Sequence, residues 1–203
     1  MSDARAAFLA AAGTFVEQVD RIPVAALTGP GLGDWDLRAL VGHASRALVT
    51  VETYLDQPAD EIAVPTAAAY YVAIAETLAA GGSAVVERGR QAGAALGGDP
   101  ARFVRDLAAR VRAKLARFDA TYVLTTIAGG MPLDEYLRTR TFELVVHGYD
   151  IADACGTAAD HDPSAVLDAT TLAAEVAVAT GRGRDLLLAL TGRRGLPEPF
   201  SVV

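Results

Sequence analysis

The chain has 203 residues, a formal net charge of −7 and an isoelectric point near 4.9. That acidic balance argues against nucleic acid as a partner, which asks for a basic face, and the length suits one domain with its own core. The composition is 52% hydrophobic but only 6% aromatic, and alanine dominates it. Alanine is the best helix former and β-branched residues are not in excess, so an all-α fold is expected. Lys114 is the only lysine among 18 basic residues, a bias that reads as GC-rich coding rather than as chemistry.

In chain order, residues 2 to about 22 predict an amphipathic helix, with Ala7, Phe8, Ala11, Phe15, Val16 and Val19 recurring at helical spacing. Gly and Pro make 28–33 a loop. Asp34 or Asp36 can cap a second helix running to about residue 55, which 57–60 ends. Residues 66 to about 95 hold one long helix or two, broken at Gly81-Gly82. Asp99 as N-cap and Pro100 at the first helical position open another, to about residue 118. Residues 121–132 are ambiguous, with 122–124 offering a short extended segment. A further helix covers about 133–154 and stops at Gly156. Two shorter helices, near 163–180 and 184–190, precede an irregular tail from 192 to 203. No repeat or low-complexity linker divides the chain. The single cysteine, Cys155, leaves no internal disulfide and fits a reducing compartment. With no basic-then-apolar leader, a soluble cytoplasmic protein is expected. The longest charge-free runs, 62–75 and 120–133, reach 14 residues, short of the roughly 18 that suggest a membrane span.

The helix over 133–154 carries an anomaly. Leu137, Phe142, Leu144, Val145, Val146, Tyr149 and Ile151 make it apolar on most sides, as befits an interior helix. Yet Tyr136, Arg140, Glu143, His147 and Asp150, stepping by four and three, share one line. Two readings fit. The stripe is the solvent face of an amphipathic helix, or it lies inside and its charges need partners. Glu143 and His147 are one turn apart, so a carboxylate oxygen and an imidazole nitrogen can converge on one ion at about 2.0–2.2 Å. A third ligand must come from elsewhere. Of the other histidines, His161 sits in a loop, where a solvated side chain is expected. His43 lies mid-helix beside Gly42, which leaves room for a close approach.

Two motifs sharpen the choice. Trp35-x4-Leu40-x2-His43 resembles the first signature of the mycothiol-dependent maleylpyruvate isomerase N-terminal domain family. Arg140-x2-Glu143-x3-His147-x2-Asp150 is similar to its second, and the two stand about 100 residues apart in the expected order. The likeness extends through 186–193. It implies a DinB-like up-down-down-up four-helix bundle with short additional helices. It also implies a divalent metal on His43, Glu143 and His147, usually Zn2+, and a low-molecular-weight thiol, mycothiol, as activating cosubstrate. Ni2+ and Fe2+ suit the same donors. One domain over 1–203 is expected, without the C-terminal α/β domain that the isomerase carries. The metal site, rather than maleylpyruvate isomerisation, is therefore the expected inheritance.

Two imidazoles and a carboxylate leave a cation an open position, the mark of a catalytic rather than a structural site. A thiol held there as thiolate, set against a small electrophile, gives thiol transfer or thiol-assisted isomerisation. Water activation for hydrolysis is an alternative, as is a non-catalytic metal-binding or interaction module. Asp150 could fix a ligand from outside the coordination shell. Arg140 could pair Glu143 or Asp150, or bind an anionic substrate. Cys155, about 12 Å of helical rise beyond His147, is read as packing, and Trp35, Tyr70 and Tyr71 as aromatic core. Exposed apolar stripes on an alanine-rich bundle permit a homodimer.

Overall fold

The computed structural model describes residues 3–79 and 82–203. Eight helices and one two-stranded hairpin make an all-α bundle. Its centre is built from α1 (Ala4–Arg21), α2 (Leu37–Tyr54), α5 (Pro100–Leu115) and α6 (Leu133–Cys155). Both α1 and α2 pack against α5 and α6. The chain crosses from α2 to α5 through α3 (Ala67–Ala79) and α4 (Gly82–Ala95), and returns after α6 with α7 (Pro163–Ala179) and α8 (Gly183–Leu190). None of the described helices is long and apolar enough to cross a membrane.

Local chemistry sets the helix starts. Asp3 caps α1 by accepting from the Arg5 and Ala6 amides, and Asp36 caps α2 through Ala39 N at 2.7 Å. Of the two candidate caps for α2, Asp36 is therefore the one used. Asp99 and Asp162 do the same for α5 and α7, each followed by proline at the first helical position. The apolar faces then close the core, where Phe8, Phe15, Leu40 and Leu48 are fully buried. Each such side chain stabilises the fold by about 1.5–3 kcal/mol relative to exposure.

Two segments differ from expectation. The ambiguous stretch forms an antiparallel hairpin of β1 (Val123–Thr126) and β2 (Gly129–Pro132), with Val123 facing Pro132 and Thr126 facing Gly129. It adds to the loop after α2 through Ala59 N→Val123 O and Thr125 N→Gln57 O. The Ala59 donor and the Gln57 acceptor belong to a loop far along the chain, so a short window could not show them. The helix expected to reach residue 118 stops at Leu115. The expected break between the third and fourth helices falls at the edge of the described residues, with Gly81 outside them.

Gly42 shapes the approach of α4. A Cβ there would sit 2.2 Å from Gly93 N, so only glycine lets the α2 and α4 backbones meet. The space beside His43 is thus filled by α4. Trp35 Nε1 fixes the same helix by donating to Val86 O at 2.9 Å, while its ring lies 4.5 Å from the His43 ring. The tryptophan of the first motif thereby braces His43 from behind.

Candidate metal centre

Helix α2 supplies His43 and helix α6 supplies Glu143 and His147, and these two helices pack together. One donor atom from each of the three residues lies within 4.8 Å of the others. His147 Nε2 is 3.4 Å from Glu143 Oε2, and the His43 and His147 rings meet edge to face with centroids 4.8 Å apart. A tetrahedral ion with bonds near 2.1 Å separates its ligands by about 3.4 Å. The spacing fits such an ion after small side-chain shifts. His43 Nδ1 is buried with no hydrogen-bond partner among the described residues, and a sealed, unpaired imidazole nitrogen is costly unless something accepts it.

Neighbours hold the donors in place. His147 Nδ1 donates to Asp150 Oδ2 at 2.9 Å, which turns Nε2 toward Glu143. Tyr71, on α3, donates its hydroxyl to Glu143 Oε1 at 2.8 Å. Read from sequence as aromatic core, Tyr71 is buried and also orients a carboxylate. Only its pairing across 72 residues reveals that.

The electrostatics follow from this geometry. Burial works against the charged form of Glu143, but the hydrogen bond from His147 and the Arg140 charge outweigh it and hold the carboxyl at about 2. Burial also opposes a charge on His147, yet Asp150 and Glu143 raise it to about 9. For His43, burial and then the neighbouring His147 lower the value to about 4, which keeps this ring neutral and its lone pair free.

The polar stripe is not a solvent face. Tyr136 is wholly buried and the His147 side chain is only 14% exposed, whereas Val146 and Tyr149 of the same helix face outward. Arg140 makes no ion pair with Glu143 or Asp150. Its guanidinium lies 5.1 Å from the Tyr136 ring centroid and 5.8 Å from that of Tyr70, with Nε donating to Thr139 Oγ1. His161 also departs from its expected exposure. Its two ring nitrogens are buried, and a Cβ on Gly148 would fall 2.4 Å from its Cε1. Glycine at 148 therefore admits the loop imidazole against α6, where it also meets Tyr149. Cys155 is half-buried against the core.

A pocket of about 510 Å3 opens on the three donors, lined also by Arg46, Arg140, Tyr70 and Tyr71. Of the described side chains that line it, Glu143 bears the sole carboxylate. Helices α2, α3 and α6 thus define an all-α bundle protein with a His/Glu/His cluster at the floor of a pocket. The profile of the Mycothiol maleylpyruvate isomerase N-terminal domain matches residues 5–152, and the chain belongs to that family. No curated protein and no solved structure matches the chain.

Proposed function

We propose that His43, Glu143 and His147 hold one divalent cation, Zn2+ in the first instance with Ni2+ or Fe2+ as substitutes. On this reading the protein uses a low-molecular-weight thiol, mycothiol, against a small electrophile. The observation that carries it is the convergence of three donors at the floor of a pocket rather than in a sealed interior. When bound, the cation would supply a site where a thiol ionises to the nucleophilic thiolate.

The chain's own residues do the rest. Asp150 keeps the His147 Nδ1 proton, so a bound cation would displace only the Nε2 proton that otherwise faces Glu143. Tyr71 restrains one oxygen of Glu143 and leaves the other toward His147. Trp35 and the α2–α4 crossing shield His43 from water on one side. Thiol transfer is preferred to hydrolysis because the described pocket lining offers no side-chain carboxylate beyond Glu143 to act as a general base for water. Thiol transfer needs no such group.

The test is conjugation of mycothiol, with N-acetylcysteine as a simple thiol probe, to 1-chloro-2,4-dinitrobenzene. An S–C bond forms, the C–Cl bond breaks, and chloride and the thiol proton leave. Zinc-loaded protein should accelerate the reaction with mycothiol at least tenfold over buffer, and His147→Ala should abolish the gain. Failure of the wild type to accelerate it, with either thiol and across a panel of electrophiles, would refute the transferase reading.

A further inference from the structure

The pocket at the His/Glu/His cluster is lined by two unlike sets of residues. One is cationic, with Arg46 from α2, Arg88 from α4 and Arg140 from α6. Among the described residues, no carboxylate lies within ion-pairing distance of any of the three. A protein of net charge −7 therefore gathers three guanidinium groups around this pocket, none of them ion-paired among the described residues. Arg140 is fixed between two tyrosine rings and spends Nε on Thr139. Guanidinium has five donors in a rigid fork, so its terminal pair is preset for a planar oxyanion.

The other is apolar and includes Ile74, Val85 and Ile127. Ile127 occupies the tip of the β1–β2 hairpin and is 68% exposed. Glycine, asparagine and aspartate are the usual residues of a hairpin tip, not isoleucine. The tip is also held firmly. Thr126 Oγ1 donates to Gly129 O at 2.8 Å and accepts from Ala128 N at 3.0 Å. One pair in from the tip, Gly130 O takes the Ala63 and Val64 amides, both at 2.9 Å. An isoleucine fixed over a pocket mouth and left unburied offers apolar surface to a ligand.

We infer that this pocket selects amphipathic monoanions, with a carboxylate on the Arg140 and Arg46 side and an apolar body against Ile127, Ile74 and Val85. The electrophile is drawn from that class. The substrate assignment rests on the thiol-transfer reading above, but the pocket's selectivity does not. A volume of about 510 Å3 holds a carboxylate with a chain of several carbons, within the usual range for small-molecule sites.

Binding of acetate, butyrate, hexanoate and octanoate to the full chain, by titration calorimetry, tests it on both metal-free and zinc-loaded protein. Affinity should rise at least tenfold from butyrate to octanoate, since each buried methylene is worth up to about fourfold. Octylamine should bind at least tenfold more weakly than octanoate. Ile127→Ser, at an exposed position that leaves the core intact, should weaken octanoate about threefold to tenfold and leave butyrate unchanged. Arg46→Gln should weaken every acid by a similar factor. Affinity flat across the series, octylamine equal to octanoate, or a chain-length slope unaltered in Ile127→Ser would overturn the inference. If the protein takes up no metal, the proposed function fails, while the series on metal-free protein still decides this point.

Discussion

Helix α6 carries charge on two sides, and the two sides are wired differently. Arg138 reaches Asp168 at 3.1 Å, Glu175 at 2.9 Å and Glu135 at 3.3 Å, which locks α6 to α7. Glu135 in turn accepts the Ala67 amide and caps the start of α3. Two residues along, and among the described residues, Arg140 has no carboxylate within ion-pairing distance and rests on aromatic rings, and His43 keeps a buried nitrogen without a hydrogen-bond partner. One region uses its guanidinium to hold helices together. The other leaves donors and acceptors free toward a pocket. Both sides look alike as residue types, so open valence, rather than the presence of charge, separates a binding site from a structural clamp.

The comparison can be broken first at the clamp. Arg138→Met should destabilise the fold by about 2–3 kcal/mol, because it strands partly buried carboxylates of which Asp168 is only 6% exposed. Metal content should stay at the wild-type level. Urea unfolding beside elemental analysis reads both. A variant that loses its metal while remaining folded would mean that the two sides are not independent.

On the other side, Asp150→Asn should lower metal affinity about 10–100-fold, since the residue orients His147 without being one of the converging donors. Its stability should fall by about 1–2 kcal/mol, because the pair is mostly buried although asparagine can still accept from His147. Tyr71→Phe should act in the same direction and at the lower end of that range, because Glu143 loses one of its restraints. Competition with a chromophoric chelator reports both affinities.

The smallest expected effect concerns His161, which is neither clamp nor donor. Burial lowers its pKa in the folded state. A depressed histidine contributes stability that is fully present above its unfolded value near 6.5 and is lost as pH falls below it. His161→Phe should therefore make unfolding free energy less sensitive to pH between about 6.5 and 5, measured against wild type. A variant with the same pH slope as wild type would contradict the burial of the His161 imidazole against α6.

Much of this was legible in sequence where the cause is local. The caps at Asp36, Asp99 and Asp162 are set by residues three or fewer positions away, and the spacing of 140, 143, 147 and 150 fixes one helix face. The approach of His43 to that face was expected only through the paired motifs, since nothing near residue 43 names its partner. What escaped depends on tertiary contact. The β1–β2 hairpin completes its bonding with the loop after α2, Tyr71 works across 72 residues, and His161 is buried because Gly148 makes room for it. The arginines and isoleucines of the pocket come from separate elements, so no window of sequence contains them. For Arg140 the spacing leaves an ion pair with Glu143 or Asp150 and an anionic ligand both open, and only the tertiary structure shows its guanidinium lying against the tyrosine rings.

The central claim is that the His/Glu/His cluster holds a cation, and metal content tests it most directly. Protein purified without an affinity tag, wild type beside His147→Ala, should be measured by elemental analysis. The account predicts about one divalent metal per wild-type chain and essentially none in the variant, with both proteins equally helical. A wild type that is empty as purified and takes up no added Zn2+, Ni2+ or Fe2+ would contradict it, and the cluster would then be a hydrogen-bonded knot in the bundle.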